Sequence, residues 1–230
     1  MSTYVLIHGA ANSGWFWHLV SAELRARGHE VLAPDLPCDD DSAELVDYVD
    51  TVVDAIGDRR ELVVVAHSLG GFTAPLVCDR VPVDLLVLVA GMIPQPGEAP
   101  GDWWANTSYQ QAWRERCERD GTPPDATALH MHDLPPALAA TALTHVRDQS
   151  GAPMAKPWPL PSWPDVPTRL LVCRDDRFFP IDFMRRVAHD RLGVWPDEMD
   201  GSHSVALSRP VELTDRLESY RSSVSRAARR

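Results

Sequence analysis

The stretch Glu61-Leu-Val-Val-Val-Ala-His67-Ser68-Leu69-Gly70-Gly71 joins an apolar, β-branched run to a serine and then to a small-residue segment with helical character. A serine lifted out at such a turn can attack a carbonyl carbon if a neighbouring base removes its proton. The positions two before and two after it must be small, because strand and helix pass close together there. Ala66 and Gly70 fill them. The sharp turn also presses the serine into a strained backbone conformation. It leaves the Leu69 amide at a helix N-terminus, facing the reacting atoms.

A nucleophilic serine needs a base, and the base needs an acid to orient it. Leu170-Leu-Val-Cys-Arg-Asp175-Asp176-Arg-Phe-Phe-Pro180 is an apolar run that ends in two carboxylates. Strand ends are where ligands bind in open α/β sheets, and both Asp175 and Asp176 are candidates for the acid. Of the nine histidines, only His203, within Asp200-Gly-Ser-His-Ser204, lies in a glycine-containing loop after those carboxylates. The order serine, acid, histidine is the one expected for a nucleophile on a strand-turn-helix elbow.

His8-Gly9-Ala10 follows the first apolar run, and a turn there would aim the Ala10 amide at Ser68. The Ala10 and Leu69 amides would then form an oxyanion hole, in which one donor contributes about 3 kcal/mol to the transition state. His8 and His67 read as packing residues rather than proton carriers. His130-Met-His132-Asp133 has no other ligand-type residues with it, so no metal site is expected, and the chemistry calls for no cofactor.

Parallel, doubly covered strands are expected at Tyr4–Ile7, Glu30–Ala33, Glu61–Ala66, Asp84–Ala90 and Thr168–Cys173, with a weaker one within Gly193–Met199. Between them, helical periodicity marks Trp15–Arg27, Ser42–Ile56, Ser68–Arg80, Asp182–Leu192 (Asp182 as its N-cap) and Pro210–Ala228. This alternation predicts an α/β fold: a doubly wound, mostly parallel sheet with helices on both faces. The pattern breaks over 92–167, where five of the eight tryptophans fall among many prolines. Helices are expected there at Trp103–Arg119 and Pro135–Gln149. The segment reads as an inserted lid whose tryptophans give an apolar pocket, leaving residues 1–91 and 168–230 as the core. The alternative is a small second core packed onto the sheet.

The 230 residues are 44% hydrophobic, enough for one compact domain. A net charge of −11 makes nucleic acid and anionic membrane poor partners. Cys38, Cys78, Cys117 and Cys173 form no C-x-x-C pair and read as free thiols. No basic region followed by a long apolar one opens the chain, so a cytoplasmic location is expected. The expected partner is a small-molecule ester, with a homodimer left open.

With these motifs assembled, the chain resembles the α/β-hydrolase superfamily, and within it the small esterase and hydroxynitrile-lyase branch that includes plant methylesterases. The resemblance rests on HGAANSGWFW at 8–17, AHSLGG at 66–71, CRDDRFFP at 173–180 and DGSHSVALSRP at 200–210. The stretch Leu129–Ala139 also looks like that branch's lid. The resemblance implies Asp176 rather than Asp175 as the acid, and Ala10 and Leu69 as oxyanion donors. A serine hydrolase working through Ser68, His203 and Asp176 is expected, and the apolar pocket of the tryptophan-rich lid makes a hydrophobic or aromatic ester its expected substrate. Two departures matter. Ala66 stands where the branch usually has glycine, and Ser204 follows His203 where hydroxynitrile lyases carry lysine. The second argues against cyanohydrin cleavage. Carbon–carbon cleavage on the same scaffold and a non-catalytic ligand-binding homologue are the rival expectations.

Overall fold

A computed structural model describes residues 1–227. Six strands, β1 (Thr3–Ile7), β2 (Glu30–Leu32), β3 (Leu62–His67), β4 (Leu85–Val89), β5 (Thr168–Cys173) and β6 (Asp197–Met199), form one sheet in the order β2-β1-β3-β4-β5-β6. Every pairing is parallel, with Tyr4 opposite Val63 and Val64 opposite Leu86. The side chains alternate between two cores, as a period of two requires. Val5, Ile7, Leu62 and Val64 face one, and Tyr4, Leu6, Val63 and Val65 the other.

Ten helices follow in chain order. They are α1 (His18–Ala26), α2 (Leu45–Ile56), α3 (Gly70–Arg80), α4 (Trp103–Asn106), α5 (Tyr109–Asp120), α6 (Ala126–His130), α7 (Pro136–Thr144), α8 (Ile181–Leu192), α9 (Val205–Ser208) and α10 (Pro210–Ala227). Helices α2, α3 and α8 cover one face of the sheet, and α1, α9 and α10 the other. The doubly wound architecture therefore holds. None of the described helices is long and apolar enough to cross a membrane.

Several element boundaries differ from expectation for local reasons. The first helix is preceded by a 3-10 turn at Gly14–Trp17. The second begins at Leu45 rather than Ser42, because Asp40 takes the Ser42 amide (2.8 Å) into a turn and Asp47 takes the Glu44 amide (2.7 Å). Asp182 is not an N-cap. Pro180 occupies that place, and Asp182 lies in the first turn, paired with Arg185 at 2.7 Å. The long helix expected over 103–119 is broken into α4 and α5 by Ser108 at φ +58°. The helix expected over 135–149 stops at Thr144, because the following chain is drawn onto the core. The Arg147 amide donates to Ala11 O (3.0 Å), and the Ser150 amide to Cys38 O (2.6 Å). Of the C-terminal helix, Ala228 lies outside the described residues.

The tryptophans of 92–167 are anchors. Trp103 and Trp158 are fully buried in the core that holds α2, α3 and α8. Their indole N–H groups donate to Ile93 O and Phe72 O, both at 3.1 Å. Nearby, the buried Glu98 carboxylate pairs with Arg191 of α8.

The chain just after Ser68 is packed against its neighbours with no room for a side chain. A Cβ at Gly71 would lie 1.9 Å from the Met92 carbonyl oxygen, and one at Gly70 would lie 2.9 Å from that of His8. The small residues here answer to neighbouring strand ends, which the closeness of strand and helix alone did not anticipate. Gly71→Ala should therefore cost about 3 kcal/mol or more. Thermal unfolding followed by circular dichroism should show a fall of several degrees or loss of the folded protein; an unchanged melting temperature would contradict this packing.

Candidate active site

The sheet order reverses direction between β1 and β3, and ligands bind outside the carboxyl ends of strands at such a point. The loops leaving β1 and β3 bring Ala10 and Ser68 to that crevice. Ser68 follows β3 directly, with φ +51°, and is 7% exposed. Its carbonyl oxygen accepts from the Gly71 amide (3.0 Å) and the Met92 amide (2.9 Å), which hold the turn. Leu69 forms the N-cap of α3. Among the described residues, neither the Leu69 amide nor the Ala10 amide has a hydrogen-bond acceptor.

The loop after β5 presents Asp176, and the loop after β6 presents His203. The His203 Nδ1–Asp176 Oδ2 distance is 2.7 Å, with both side chains buried. The other Asp176 oxygen accepts from the Phe178 and Phe179 amides at 2.8 and 2.9 Å. That carboxylate is fixed from both sides, so it holds the imidazole with Nδ1–H donating and leaves Nε2 as a lone pair. Asp175 does different work. It is exposed, and its Oδ2 accepts the Gly201 amide at 3.0 Å, tying the loop of His203 to the loop of Asp176.

Ser68 and His203 line one cavity of about 450 Å³, together with Ala10, Phe16, His130, Met131 and Phe178. A larger groove of about 670 Å³ sits at the opposite edge of the sheet, around Glu61, Val83 and Val224, and holds none of these groups. Position at the carboxyl edge, not size, singles out the smaller one. Its wall is largely apolar, but no tryptophan contributes to it. The expectation of a tryptophan-lined pocket is corrected: the insertion supplies Ala126, His130, Met131, Leu143 and Val146 instead. Phe178 was legible as part of Arg-Phe-Phe-Pro, yet its contact with the His203 ring, 5.0 Å between centroids, depends on a turn that composition does not reveal.

His8 and His67 are structural in placement. The Leu36 amide donates to His8 Nε2 (2.9 Å), so the His8 proton is on Nδ1, which donates to Gly9 O (2.8 Å). Burial lowers the His8 pKa to about 4. His67 donates from Nε2 to the His203 carbonyl (2.9 Å) and stacks on Phe16. Burial, reinforced by the adjacent His203, pushes its pKa well below the usual range. His67 Nδ1 is a buried acceptor without a partner among the described residues. His130 and His132 diverge: the first lines the cavity, and the second donates from Nε2 to Asp175 O at 2.8 Å.

The match to the Alpha/beta hydrolase family model spans residues 4–216. The chain belongs to the alpha/beta hydrolase family. It is a hydrolase, and the relatives it is similar to include plant methylesterases. Methylesterase 7 of Arabidopsis thaliana is 26% identical to it, the alignment covering 91% of this chain and 92% of the relative. Methyl jasmonate esterase 1 of Vitis vinifera is 25% identical, over 94% and 95%. Among solved structures, a pyrethroid hydrolase from Sphingobium faniae superposes with a TM-score of 0.76 at 22% identity, over 96% of this chain and 97% of that one. This last likeness is one of fold.

The neutral histidines give this hydrolase a pH dependence of stability. As pH falls below about 6.5, the unfolded chain binds protons at His8 and His67 that the fold refuses, down to about pH 4 for His8. Stability is full above that window and declines through it as pH falls, His8 accounting for about 3 kcal/mol. Urea midpoints measured from pH 7 to 4.5 should fall accordingly, and less for His8→Gln, which cannot take up a proton. Equal losses in both proteins would contradict the assignment.

Proposed function

We propose that this hydrolase cleaves small, largely apolar esters through an acyl-enzyme on Ser68, with His203 as base and Asp176 as orienting acid. The observation that carries the reading is the buried Asp176–His203 hydrogen bond beside the cavity that also contains Ser68. Support from kinship comes from relatives named as methylesterase and methyl jasmonate esterase.

Acyl transfer on this site runs in two halves. With Nδ1–H engaged by Asp176, His203 Nε2 takes the Ser68 proton as Oγ bonds to the ester carbon. The carbonyl π electrons move to oxygen, and the Ala10 and Leu69 amides receive that oxyanion. Collapse breaks the bond to the alkoxy oxygen, which leaves as the alcohol with the proton from His203. Water then attacks the acyl group, giving its proton to His203. A second collapse frees the acid and returns the proton to Ser68. The segment 92–167 acts as a lid whose α6, α7 and following chain close the apolar wall around the acyl or alcohol part.

Cyanohydrin cleavage is the less favoured use of this cavity. Ser204 lines it where a hydroxynitrile lyase would carry lysine, and no lysine or arginine joins the wall among the described residues.

Ser68→Ala should reduce turnover of p-nitrophenyl acetate at least about 10³-fold, and Asp176→Asn by about 10³- to 10⁴-fold through loss of the correct tautomer. Steady-state kinetics on variants that melt like the wild type check this. Near-normal turnover in Ser68→Ala would end the proposal.

A further inference from the structure

The acyl-transfer steps leave one cavity imidazole without a task. His130 is the last residue of α6, and its ring lies 5.5 Å from that of His203 and 4.7 Å from that of Phe178, centroid to centroid. Its main chain is fixed from the core side, where the Ser204 amide donates to His130 O at 3.1 Å. Two residues just beyond it are fixed as well: the His132 ring donates to Asp175 O, and Asp133 Oδ2 accepts the Ser202 amide at 2.9 Å. The insertion is thus pinned to the loops of both the acid and the base, and His130 is held over the cavity beside His203.

Among the described residues, no group is hydrogen-bonded to the His130 ring. Burial, with the neighbouring His203, lowers its pKa to about 4, so at neutral pH it is an uncharged imidazole with one N–H donor and one lone pair. The part of the wall that the insertion and Phe16 and Phe178 supply around it is apolar, with Met131, Leu143 and Val146, while Asn12, His67 and Ser204 are the polar side chains that line the cavity besides Ser68 and His203. A polar group on the apolar side of a pocket discriminates strongly between substrates that can pair with it and isosteres that cannot. A general-base role is already filled by His203, which alone has the carboxylate.

Resting on the ester-hydrolase reading, we infer that His130 is a specificity-determining residue that hydrogen-bonds a hydroxyl or carbonyl carried by the substrate a few bonds from the scissile ester. The preferred substrates are therefore hydroxy- or oxo-substituted esters rather than purely hydrocarbon ones. The substituent sits on whichever part, acyl or alcohol, lies under α6.

Two isosteric pairs test this, each exchanging a hydroxyl for a methyl group: methyl 3-hydroxybutanoate against methyl 3-methylbutanoate for the acyl side, and 2-hydroxyethyl acetate against propyl acetate for the alcohol side. In at least one pair the hydroxylated member should have the higher kcat/KM in the wild type, by about tenfold or more. His130→Phe should bring that ratio close to one, mainly through a higher KM for the hydroxylated ester. His130→Gln, whose amide keeps a donor and an acceptor, should retain part of the preference and serves if the phenylalanine variant does not fold. Equal ratios in the wild type and both variants, with all esters cleaved, would overturn the role of His130 while leaving the ester-hydrolase reading intact. Failure of the wild type to cleave any of the four esters, or p-nitrophenyl acetate, would overturn that reading itself, and the role of His130 with it.

Discussion

Ser68 has φ +51°, a left-handed backbone conformation that non-glycine residues enter at a cost of about 1–3 kcal/mol. The surrounding structure holds it there. Its carbonyl accepts two amides, one from Gly71 in its own helix and one from Met92 beyond the adjacent strand β4. The Met92 contact is close enough that Gly71 cannot carry a Cβ, and on the other side Gly9 is packed so that a Cβ would come within 2.8 Å of the Ser68 Cβ. The turn that exposes the hydroxyl is therefore a property of three adjacent strands. Distorting any of the three would move the serine.

Asp176 and His203 are held on the same principle with different parts. Asp176 is held by two main-chain amides and by His203, so its position is set by the turn Arg177–Phe179 rather than by side-chain freedom. His203 is fixed at its ring by Asp176 and at its carbonyl by the His67 Nε2–H. His67 is kept neutral by burial, which makes it a hydrogen-bonding brace and not a competing base. The insertion divides its labour: Trp103 and Trp158 root it in the core, while residues from α6 to Val146 border the cavity.

Much of this was legible in the sequence because it is local. Apolar β-branched runs ending at Gly9, Ser68 and Asp175 marked the strands and their functional ends, and serine, acid and histidine in that order marked the site. The choice of Asp176 over Asp175 came from family resemblance, not from the residues. The structure separates the two by burial: Asp176 faces the imidazole, and Asp175 faces solvent and the Gly201 amide. What composition concealed was non-local. Tryptophan and proline made 92–167 look like an aromatic pocket wall, yet whether an indole faces a cavity or a core depends on the tertiary packing of the insertion. The helix expected to reach Gln149 stops at Thr144. Its following backbone bonds Ala11 and Cys38, partners more than a hundred residues away, whose pull no helical period encodes.

In the proposed reaction the Ser68 oxygen, activated by His203, is the atom that becomes acylated. The most direct measurement is intact-mass analysis of the protein after treatment with a fluorophosphonate, followed by peptide mapping. One adduct per chain is expected, on Ser68, forming much more slowly in His203→Ala. Absence of an adduct on folded protein, or an adduct on another residue with Ser68 unmodified, would contradict it.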